Sequence, residues 1–554
     1  MKCLILIYLL AIFVSTAYTL RITDCQVVIL GGSTAAFSAA VASASDGVKT
    51  CLIEPVDWVG GQMTLSVPAI DFSHGEYRKG NRTFPLRKYS TMKENNTPSF
   101  YEAIHLSPDT GKCWVSPTCY LPKVMLDKAF NPMEKALSAT LRVFRNSVIK
   151  RAKVEGDTIK EITVIQRTPK ASTKCDGYDK LLHESLDDWY SESESSRFNK
   201  QVLTFSDAGV FMDASEWGEL LAVTNAPYLQ GIAEKFDGDT SGQGDSVCGQ
   251  ETTFTFGQRI TNDTVKEEPN PYPVEHPEHY GFRSDRKWER VWTYRRLKAP
   301  KWSSKAQIGD ITSQNVDEGN DYPFGYLFMS KEDALKSVQR DEWMGGVNIE
   351  TIRGAELLAV GWHYWFKNQS STTWGDRLSL AKEVTGTCHG LSKVPYIRDT
   401  RRSIGIDDFV IKIENLIGDF TISPVAHVFY DRVAIGNYPC DIHHMKICKY
   451  PPHMKKYDTL PFFIPFRAMT NKAFKNLIVA GKTMAQSFMS NSAVRLHPIE
   501  WSSGTAAGIS ASFMIKNNIK STREVLDRIK DLQQVVAKYT PIKWNIEGKY
   551  YPQE

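Results

Sequence analysis

The sequence feature best suited to chemistry is a run of small residues, GGSTAA, at positions 31–36. The run follows the apolar stretch 25–30 and precedes the alanine-rich stretch 37–45, which is the order of strand, tight turn and helix. Small residues let the backbone approach a diphosphate closely, and the start of a helix offers free N–H groups to it. Ser33 and Ala36 stand where the usual motif has glycine. This pattern alone therefore leaves a nucleotide site and an ordinary strand–helix turn equally open.

A carboxylate at the end of the next predicted strand adds a second possible contact to a nucleotide. Glu54 closes the apolar stretch 48–53 and lies roughly 20 residues after Gly31, the spacing at which such folds bind a ribose hydroxyl. An acid at this position disfavours a 2′-phosphate. Positions 25–54 therefore predict a strand–helix–strand unit with the features of a dinucleotide site.

Three later stretches add elements of the same kind. Positions 201–213 predict a β hairpin that ends at Asp213-Ala214-Ser215. Positions 476–481 read NLIVAG, which predicts a short buried strand closing on a glycine. Positions 502–511 are rich in Ser, Gly and Ala and predict a helix that starts near Gly504.

In this order the blocks resemble the FAD-dependent oxidoreductase family with a glutathione-reductase-type FAD-binding domain. Further matching blocks are GGQ at 60–62, PYIRDTRR at 395–402, YPCDIH at 438–443 and IPFR at 464–467. The resemblance runs with gaps from about residue 22 to about residue 517. It implies an α/β fold, with a Rossmann-like parallel sheet and a β meander for FAD and an α+β substrate or cap domain.

FAD is the cofactor that the resemblance implies. The residues implied to contact FAD are Gly31, Gly32, Ser33, Ala35, Ala36, Glu54, Pro55, Gly60, Gly61, Gln62, Val148, Ala214, Gly481, Lys482, Gly504, Thr505 and Ala506.

The implied roles of these residues follow the length of the cofactor. Glu54 would bind the adenosine ribose, and Val148 would meet adenine through its backbone. Residues 60–62 would lie along the pyrophosphate and the ribityl chain. Lys482 would also lie beside the ribityl chain, although many related flavoproteins have an acid at the position of Lys482. The helix starting near Gly504 would direct its positive end at the flavin N1–C2=O, where negative charge grows on reduction.

Four residues in the matching blocks are candidates for acid–base work or for orienting a substrate: His497, His443, Arg467 and Arg398. A substrate site beside a flavin needs a group that moves a proton and a group that positions the substrate. A structural role is the alternative for each of them, since buried histidines and arginine clusters are often held by hydrogen bonds and ion pairs. No metal site is expected, because the adjacent His443 and His444 would point apart on a strand and no third ligand has suitable spacing.

The expected reaction is hydride transfer between a small organic substrate and flavin N5. The sequence shows no second glycine-rich nucleotide motif and no C-x-x-C pair. Electrons are therefore expected to come from the bound substrate and to leave to oxygen or an external acceptor. The alternatives are a non-redox flavoenzyme of the isomerase or lyase type and a catalytically degenerate flavin- or glycan-binding secreted protein.

The domain organisation expected from these blocks is discontinuous. The FAD domain comprises 22–69, 139–228 and 471–517, and the substrate or cap domain comprises 70–138 and 229–470. Residues 518–554 form a C-terminal amphipathic helix and tail, with Val525, Ile529, Leu532 and Val536 on its apolar side.

The N-terminus predicts export of the protein. Lys2, the apolar run 3–14 and the small residues after it have the character of a signal peptide, which is expected at 1–19. That run is too short to cross a membrane, and no later stretch resembles a membrane span. The protein is therefore expected to be secreted or lumenal and glycosylated, with sequons at Asn81, Asn95, Asn262 and Asn368.

The cysteines and the charge agree with such a protein. An odd number of cysteines remains after the predicted signal peptide, and the expected disulfides join Cys113 to Cys119 and Cys440 to Cys448. The formal net charge of +4 lacks the basic excess of a nucleic-acid-binding protein, so no such partner is expected.

Overall fold

The computed structural model describes residues 19–553 except 72–75, 80–81, 86–94, 107–112, 233–246, 267–268, 284–286, 302, 304, 337–341, 370–371, 451–453, 455 and 547. The predicted signal peptide, apart from its last residue, and Asn81 lie outside the described residues. No helix in the described part of the chain is long and apolar enough to cross a membrane.

The strands are numbered in chain order: Leu20–Ile22 (β1), Val27–Leu30 (β2), Thr50–Ile53 (β3), Glu76–Lys79 (β4), Arg82–Pro85 (β5), Leu141–Phe144 (β6), Ser147–Glu155 (β7), Thr158–Pro169 (β8), Phe198–Ser206 (β9), Val210–Asp213 (β10), Tyr228–Leu229 (β11), Thr252–Thr253 (β12), Phe256–Ile260 (β13), Arg296–Lys298 (β14), Ile311–Gln314 (β15), Asp321–Tyr322 (β16), Leu378–Leu380 (β17), Arg402–Ser403 (β18), Arg432–Gly436 (β19), Phe462–Pro465 (β20), Leu477–Val479 (β21), Trp544–Ile546 (β22) and Lys549–Tyr551 (β23).

The α-helices are Thr34–Ser45 (α1), Gln62–Leu65 (α2), Pro98–His105 (α3), Pro122–Met125 (α4), Asn131–Ala136 (α5), Leu186–Tyr190 (α6), Glu219–Val223 (α7), Trp288–Tyr294 (α8), Lys331–Lys336 (α9), Ile349–Lys367 (α10), Phe488–Val494 (α11), His497–Lys516 (α12), Thr522–Asp527 (α13) and Ile529–Val536 (α14).

A parallel five-stranded sheet lies at the centre of the fold, in the strand order β21-β10-β2-β3-β6. Every pairing in it is parallel, and β2, β3 and β10 are buried along their whole length, as continuous apolar strands between helical layers must be. This sheet confirms the predicted α/β fold with a Rossmann-like parallel sheet. The carboxyl ends of β2, β3, β10 and β21 bring Gly31, Glu54, Ala214 and Gly481 to one edge.

The β meander is a second sheet in the order β1-β9-β8-β7. Its strands β7, β8 and β9 pair antiparallel in sequence. The predicted hairpin over 201–213 is wrong, because β9 belongs to the meander while β10 pairs with β2 and β21 of the central sheet. The turn at 207–209 therefore passes the chain from one sheet to the other.

Helices α1 and α12 pack against each other with almost no side chain between them. A Cβ atom on Gly504 would lie 2.2 Å from the carbonyl oxygen of Ala35, and one on Gly508 would lie 2.2 Å from that of Ala39. The small residues around Gly504 thus mark a helix contact and not a helix start. The predicted start near Gly504 is wrong: α12 begins at His497, with Pro498 in its first turn.

A second group of elements packs as an α+β unit. An antiparallel sheet in the order β14-β15-β13-β17 accompanies helix α10. Aromatic rings fill its core, where the rings of Trp288 and Phe366 stack with centroids 4.9 Å apart and those of Trp288 and Trp292 with centroids 5.3 Å apart. This unit agrees with the α+β part of the predicted fold class.

Four disulfides join described residues: Cys25–Cys51, Cys113–Cys119, Cys175–Cys388 and Cys248–Cys448. The predicted Cys113–Cys119 bond is confirmed. The predicted Cys440–Cys448 bond is wrong, because Cys448 pairs with Cys248 across 200 residues of sequence. Cys440 is buried outside any disulfide, and its sulfur accepts a hydrogen bond from the Ser492 hydroxyl.

The C-terminal amphipathic segment consists of two helices and not one. Arg528 has non-helical dihedral angles and separates α13 from α14. The predicted apolar side is correct, since Val525, Ile529, Leu532 and Val536 are all buried.

Candidate cofactor and substrate site

Two hydrogen bonds of the Ser33 hydroxyl fix the start of α1 at the edge of the central sheet. The Ser33 hydroxyl accepts from the Ala36 amide at 3.0 Å and donates to the Ala214 carbonyl at 2.6 Å. A Cβ on Gly61, which has a φ of +56°, would lie 2.4 Å from backbone atoms of Ser33 and Thr34. Only glycine allows this loop to cross the helix start. The structure thus brings the predicted residues 31–36, 60–61 and 214 together.

Glu54 is the most informative group at this edge. Its side chain is fully buried, and neither carboxylate oxygen has a hydrogen-bond partner in the described part of the chain. Burial raises the pKa of Glu54 well above its usual value, although the Arg145 charge and the nearby Gly32 amide oppose the shift. The Gly32 amide is close enough to act on this pKa but does not meet hydrogen-bond geometry. A buried acceptor without a donor fits a ligand that brings hydroxyl groups.

A narrow cavity adjoins Glu54 at the position predicted for the adenosine end of FAD. It is lined by Gly31, Gly32, Pro55, Val148, Trp189, Tyr190, Ser215, Glu216, Trp217, Glu219 and Val394. Its volume of about 30 Å³ is smaller than an adenine ring, so side chains at its mouth must separate when the ligand enters. Val148, predicted to meet adenine, lies in this wall together with Gly31, Gly32 and Pro55.

Lys482 lies at the centre of a buried group of charges. Its Nζ is 2.9 Å from both carboxylate oxygens of Glu216 and 2.8 Å from one of Glu500. Burial lowers the pKa of Lys482, but the two carboxylates more than offset that effect and hold the pKa above its usual value. Burial in turn raises the pKa of Glu216 to about 7. Lys482 is therefore a charged residue clamped by two acids, and Gly481 beside it packs on Ala35 of α1.

Three further buried polar groups face the same region without a partner for one of their atoms. They are Oε1 of Gln62, Oε2 of Glu500 and Oγ1 of Thr505, among the described residues. With Glu54 they lie on the two segments, around 54–62 and 482–505, that the resemblance assigned to FAD. These atoms are acceptors, apart from the Thr505 hydroxyl, and they fit a long ligand that brings hydroxyl and N–H groups. Gly504 and Ala506 instead lie in the middle of α12, where Gly504 packs on α1.

His497 is the first residue of α12 and connects the cofactor region to a second cavity. Its Nε2 lies 2.9 Å from the Val67 carbonyl oxygen, so Nε2 carries the proton and Nδ1 keeps a lone pair. Nδ1 has no partner among the described residues. Burial lowers the pKa of His497 to about 3, so the ring is neutral at physiological pH.

The second cavity is polar, and its volume of about 330 Å³ suits a small organic molecule. Its walls are formed by Val67, Asp71, Trp114, Val115, Arg283, Arg290, Tyr294, Arg295, Asn315, Asp317, Tyr396, Arg398, Tyr438, Asp441, His443, Lys456 and Arg495. We call it the polar pocket. Two contacts join it to the cofactor region: Val67 binds His497, and the Arg495 carbonyl accepts from Gln62 Nε2 at 2.8 Å.

His443 lies in the polar pocket among carboxylates. Its Nδ1 is 3.5 Å from Asp321 and 3.6 Å from Glu251, and its Nε2 is 3.4 Å from Asp441. Burial and the Arg398 charge lower the pKa of His443, but these carboxylates outweigh both and raise it well above its usual value. His443 is therefore an imidazolium at neutral pH and can give a proton.

Arg398 binds the carboxylate of Asp321, which lies beside His443. Its guanidinium donates to Asp321 at 2.9 Å, to Asn315 at 3.1 Å and to the Thr253 hydroxyl at 3.0 Å. Ligand atoms of Glu251, Asp321 and His443 lie within 4.8 Å of one another, a spacing that a metal ion could use. The guanidinium already neutralises Asp321, so the cluster is explained as ion pairs around Arg398 and His443.

The structure does not bring Arg467 to the pocket. Its guanidinium binds both oxygens of buried Asp431, at 3.0 and 3.1 Å, and lies over the rings of Phe409 and Tyr430. This is a structural contact beside β19 and β20. The geometry therefore gives no support to the predicted role of Arg467 at the substrate.

Several pocket residues escaped the sequence-based prediction. Arg290, Arg295 and Arg495 come from α8, the residue after it and the residue after α11, and no local pattern connects them. Trp114 lies between Cys113 and Cys119, and Arg495 lies two residues before His497, so proximity to predicted features was the only signal.

The sequence matches the family model described as FAD dependent oxidoreductase over residues 26–177 and 181–536. The chain belongs to this family, as the sequence resemblance predicted. It is an FAD-dependent oxidoreductase with FAD as its cofactor, and the family implies a small-molecule substrate and an electron acceptor. No curated protein matches the sequence significantly.

Remote similarity is found, for example, to three solved structures. A geranylgeranyl bacteriochlorophyll reductase-like protein from Thermoplasma acidophilum is 10% identical, with 94% of this chain and 85% of that chain covered and a TM-score of 0.31. The p-nitrophenol 4-monooxygenase of Pseudomonas putida DLL-E4 is 9% identical, with 94% and 87% covered and a TM-score of 0.30. L-proline dehydrogenase from P. horikoshii is 11% identical over 39% of this chain and has a TM-score of 0.16; the match spans 24% of that protein. Similarities this remote carry no functional argument.

Proposed function

We propose that the protein is a secreted FAD-dependent oxidoreductase that transfers a hydride between a small polar organic substrate and flavin N5. The substrate would bind in the polar pocket. The observation that carries the proposal is the series of buried, unpartnered polar atoms on Glu54, Gln62, Glu500 and His497. These atoms lead from the adenosine-side cavity at α1 to the wall of the polar pocket.

The proposed cofactor contacts follow the predicted residues, with two changes. Glu54 would accept hydrogen bonds from ribose hydroxyls, and the amides at residues 33–36 and 60–61 would face the diphosphate. The positive end of α12 lies at His497 and not near Gly504, so the helix dipole acts at residues 497–500. Lys482 donates to two glutamates and would place its charge near the cofactor, where many related flavoproteins have an acid that accepts hydrogen bonds.

Bound FAD would supply a two-electron acceptor beside the polar pocket. Within the pocket, the His443 imidazolium would exchange a proton with the substrate as the substrate is oxidised or reduced, through Nε2, which lies 3.4 Å from the pocket residue Asp441. Arg398 would act through Asp321, because its guanidinium holds the carboxylate that lies beside His443 and so keeps the ring in place. Nδ1 of neutral His497 would accept a hydrogen bond at the junction of the cofactor and the pocket.

The proposed division into domains follows the sequence blocks: 22–69, 139–228 and 471–517 for FAD, and 70–138 and 229–470 for the substrate. The central sheet and the meander lie within the first set, apart from the short strand β1 at its boundary, which supports it.

Secretion is supported by the disulfides, which include Cys25–Cys51 at neighbouring strands of the central sheet. Glycans are proposed at exposed Asn262 and at Asn368. Asn95 is buried and accepts a hydrogen bond from the Asn545 amide, so it is a poor acceptor once the chain has folded.

The test is anaerobic titration of the protein expressed through a secretory pathway. The holoprotein should show the flavin absorption bands, and a substrate should bleach them. His443→Gln should keep the flavin bands but lower the bleaching rate by about 10²–10⁴-fold, the usual contribution of a general acid or base. His183→Gln is the matched control, since His183 pairs with Glu356 away from the pocket.

Three results would speak against the proposal. Equal rates for the wild type and His443→Gln would remove His443 from the mechanism. Flavin bands that no substrate bleaches would favour a non-redox flavoenzyme. A folded protein that takes up no FAD would favour a degenerate binding protein.

A further inference from the structure

The polar pocket contains more positive charge than its own acids neutralise. Arg283 donates to Asp317 at 2.8 Å, and Lys456 lies 3.4 Å from Asp441. Arg290 and Arg295 have no carboxylate within 4.0 Å anywhere in the described part of the chain. Two guanidinium charges thus remain without a counter-ion in a half-buried wall.

The same wall contains a third arginine. Arg495 is only 3% exposed, and its guanidinium donates to the Tyr396 hydroxyl and to the Asp441 carbonyl. Three arginines therefore line one cavity, and Arg290 and Arg295 have no carboxylate partner among the described residues. Such a cavity suits an organic anion.

A stack of planar groups fixes two of these arginines in place. The guanidinium of Arg290 lies 3.3 Å from the centroid of the Trp114 ring, and that of Arg295 lies 4.9 Å from the centroid of the Tyr294 ring. The two rings stack with centroids 5.3 Å apart. The Trp114 amide donates to the Thr293 carbonyl at 3.0 Å, which joins the Cys113–Cys119 loop to α8. Both guanidinium groups are therefore positioned before a ligand arrives.

We propose that the substrate of the polar pocket carries a carboxylate, and that Arg295 and Arg495 bind it with Arg290 adding charge. This rests on the proposed function, because it assigns the chemical class of the molecule oxidised there. Asp441 and the Tyr438 hydroxyl line the same pocket and would accept hydrogen bonds from hydroxyl or amino groups next to the carboxylate. The shared chemistry is a small carboxylate with polar neighbours, either a hydroxy acid or an amino acid.

The experiment compares each acid with its neutral analogue on the holoenzyme. The probes are D-glucuronate against D-glucose, L-lactate against propane-1,2-diol, and L-alanine against L-alaninamide. Binding is measured by calorimetry and by perturbation of the flavin absorption band, and bleaching is followed in parallel. At least one acid should bind about tenfold or more tightly than its analogue, with an affinity that falls as salt is added.

Arg295→Gln should remove at least about tenfold of this preference and leave the flavin content unchanged. Arg295→Lys should restore part of it, because the charge returns without the second donor. Arg353→Gln is the matched control, since Arg353 lies on α10 and pairs with Glu275 outside the pocket. Arg495→Gln is a second variant that tests the same preference if Arg295→Gln disturbs the structure of the pocket wall.

The outcomes separate this inference from the proposed function. Bleaching by a neutral sugar or diol, with no preference for the acid, would overturn the inference that the substrate carries a carboxylate but would leave the proposal of hydride transfer intact. A second outcome is that the acids bind, that Arg295→Gln weakens their binding and that no probe bleaches the flavin. This result would support a carboxylate substrate and overturn the proposal of hydride transfer. Equal binding of acids and analogues by the wild type and Arg295→Gln would refute the inference. A preference for lactate and glucuronate, or for alanine, would decide between the hydroxy-acid and the amino-acid classes.

Discussion

The Glu54→Gln variant tests whether the buried carboxylate at the end of β3 exists to bind the cofactor. The substitution keeps the shape and one acceptor oxygen but removes the charge. Because neither oxygen of Glu54 has a partner within the described residues, the loss should appear in FAD binding and not in the fold. A hydrogen bond to a charged group contributes about 1.5–3 kcal/mol. The dissociation constant of FAD should therefore rise roughly 10- to 150-fold.

The same variant should stabilise the protein when FAD is absent. Burial raises the pKa of Glu54 above its unfolded value, so the folded state holds a proton that the unfolded state releases. Stability of the wild-type apoprotein must then fall as the pH rises above about 4.5 and through the raised folded pKa. The amide side chain of the variant does not titrate, so the advantage of Glu54→Gln over the wild type should grow as the pH rises above about 4.5.

The assay combines thermal unfolding of the apoprotein over this pH range with titration of FAD by flavin fluorescence. Glu356→Gln is the matched control, because Glu356 is equally buried but accepts from the Leu182 and His183 amides and from the His183 ring. It should destabilise the protein and leave FAD affinity unchanged. A Glu54→Gln apoprotein that is less stable than wild type at high pH, or one that binds FAD equally well, would refute the reasoning.

Four other substitutions and analyses give separate checks. Gly61→Ala should abolish FAD binding and lower the unfolding temperature sharply, because its Cβ would lie 2.4 Å from the Ser33 backbone. In the control Gly47→Ala the Cβ would meet nothing within 4 Å, so that variant should lose only about 1 kcal/mol of stability. Equal losses of stability in thermal unfolding would contradict this path of the loop. Lys482→Met should destabilise the protein by about 3–5 kcal/mol in denaturant unfolding, because it leaves the half-buried Glu216 and the buried Glu500 without their cation. A neutral effect would mean that both acids are already protonated. The rate that depends on protonated His443 should hold through neutral pH and fall only above its raised pKa, and a fall near the ordinary histidine pKa of about 6.5 would show that the carboxylates do not act on it. Peptide mapping without reduction should find Cys248 joined to Cys448 and Cys440 as a thiol, whereas a Cys440–Cys448 peptide would overturn the disulfide assignment.

Local patterns were sufficient to predict the strand–helix–strand unit at the edge of the central sheet. Residues 25–54 form the predicted strand, turn, helix and strand, because the apolar run, the small turn and the carboxylate each act within a few residues of chain. The Cys113–Cys119 bond was predictable for the same reason, since its two cysteines are separated by 6 positions.

Features that depend on tertiary contacts were missed. Small residues at 502–511 serve the contact between α1 and α12, and sequence reasoning took this packing signal for a helix start. The turn after β9 resembles a hairpin turn but passes the chain between two sheets. The polar pocket joins Arg290 and Arg295 to the distant Arg495, and no spacing rule connects such positions. Arg467 shows the converse difficulty, because a residue in a matching block can have a structural partner, here Asp431, that the sequence does not reveal.

A crystal structure of the holoprotein is the decisive experiment for the proposed cofactor site. FAD should lie with its adenosine ribose hydroxyls about 2.7 Å from the Glu54 carboxylate and with its isoalloxazine ring between His497 and the polar pocket. A ribose bound elsewhere, or a flavin ring separated from the cavity that holds His443 and Arg495, would contradict it.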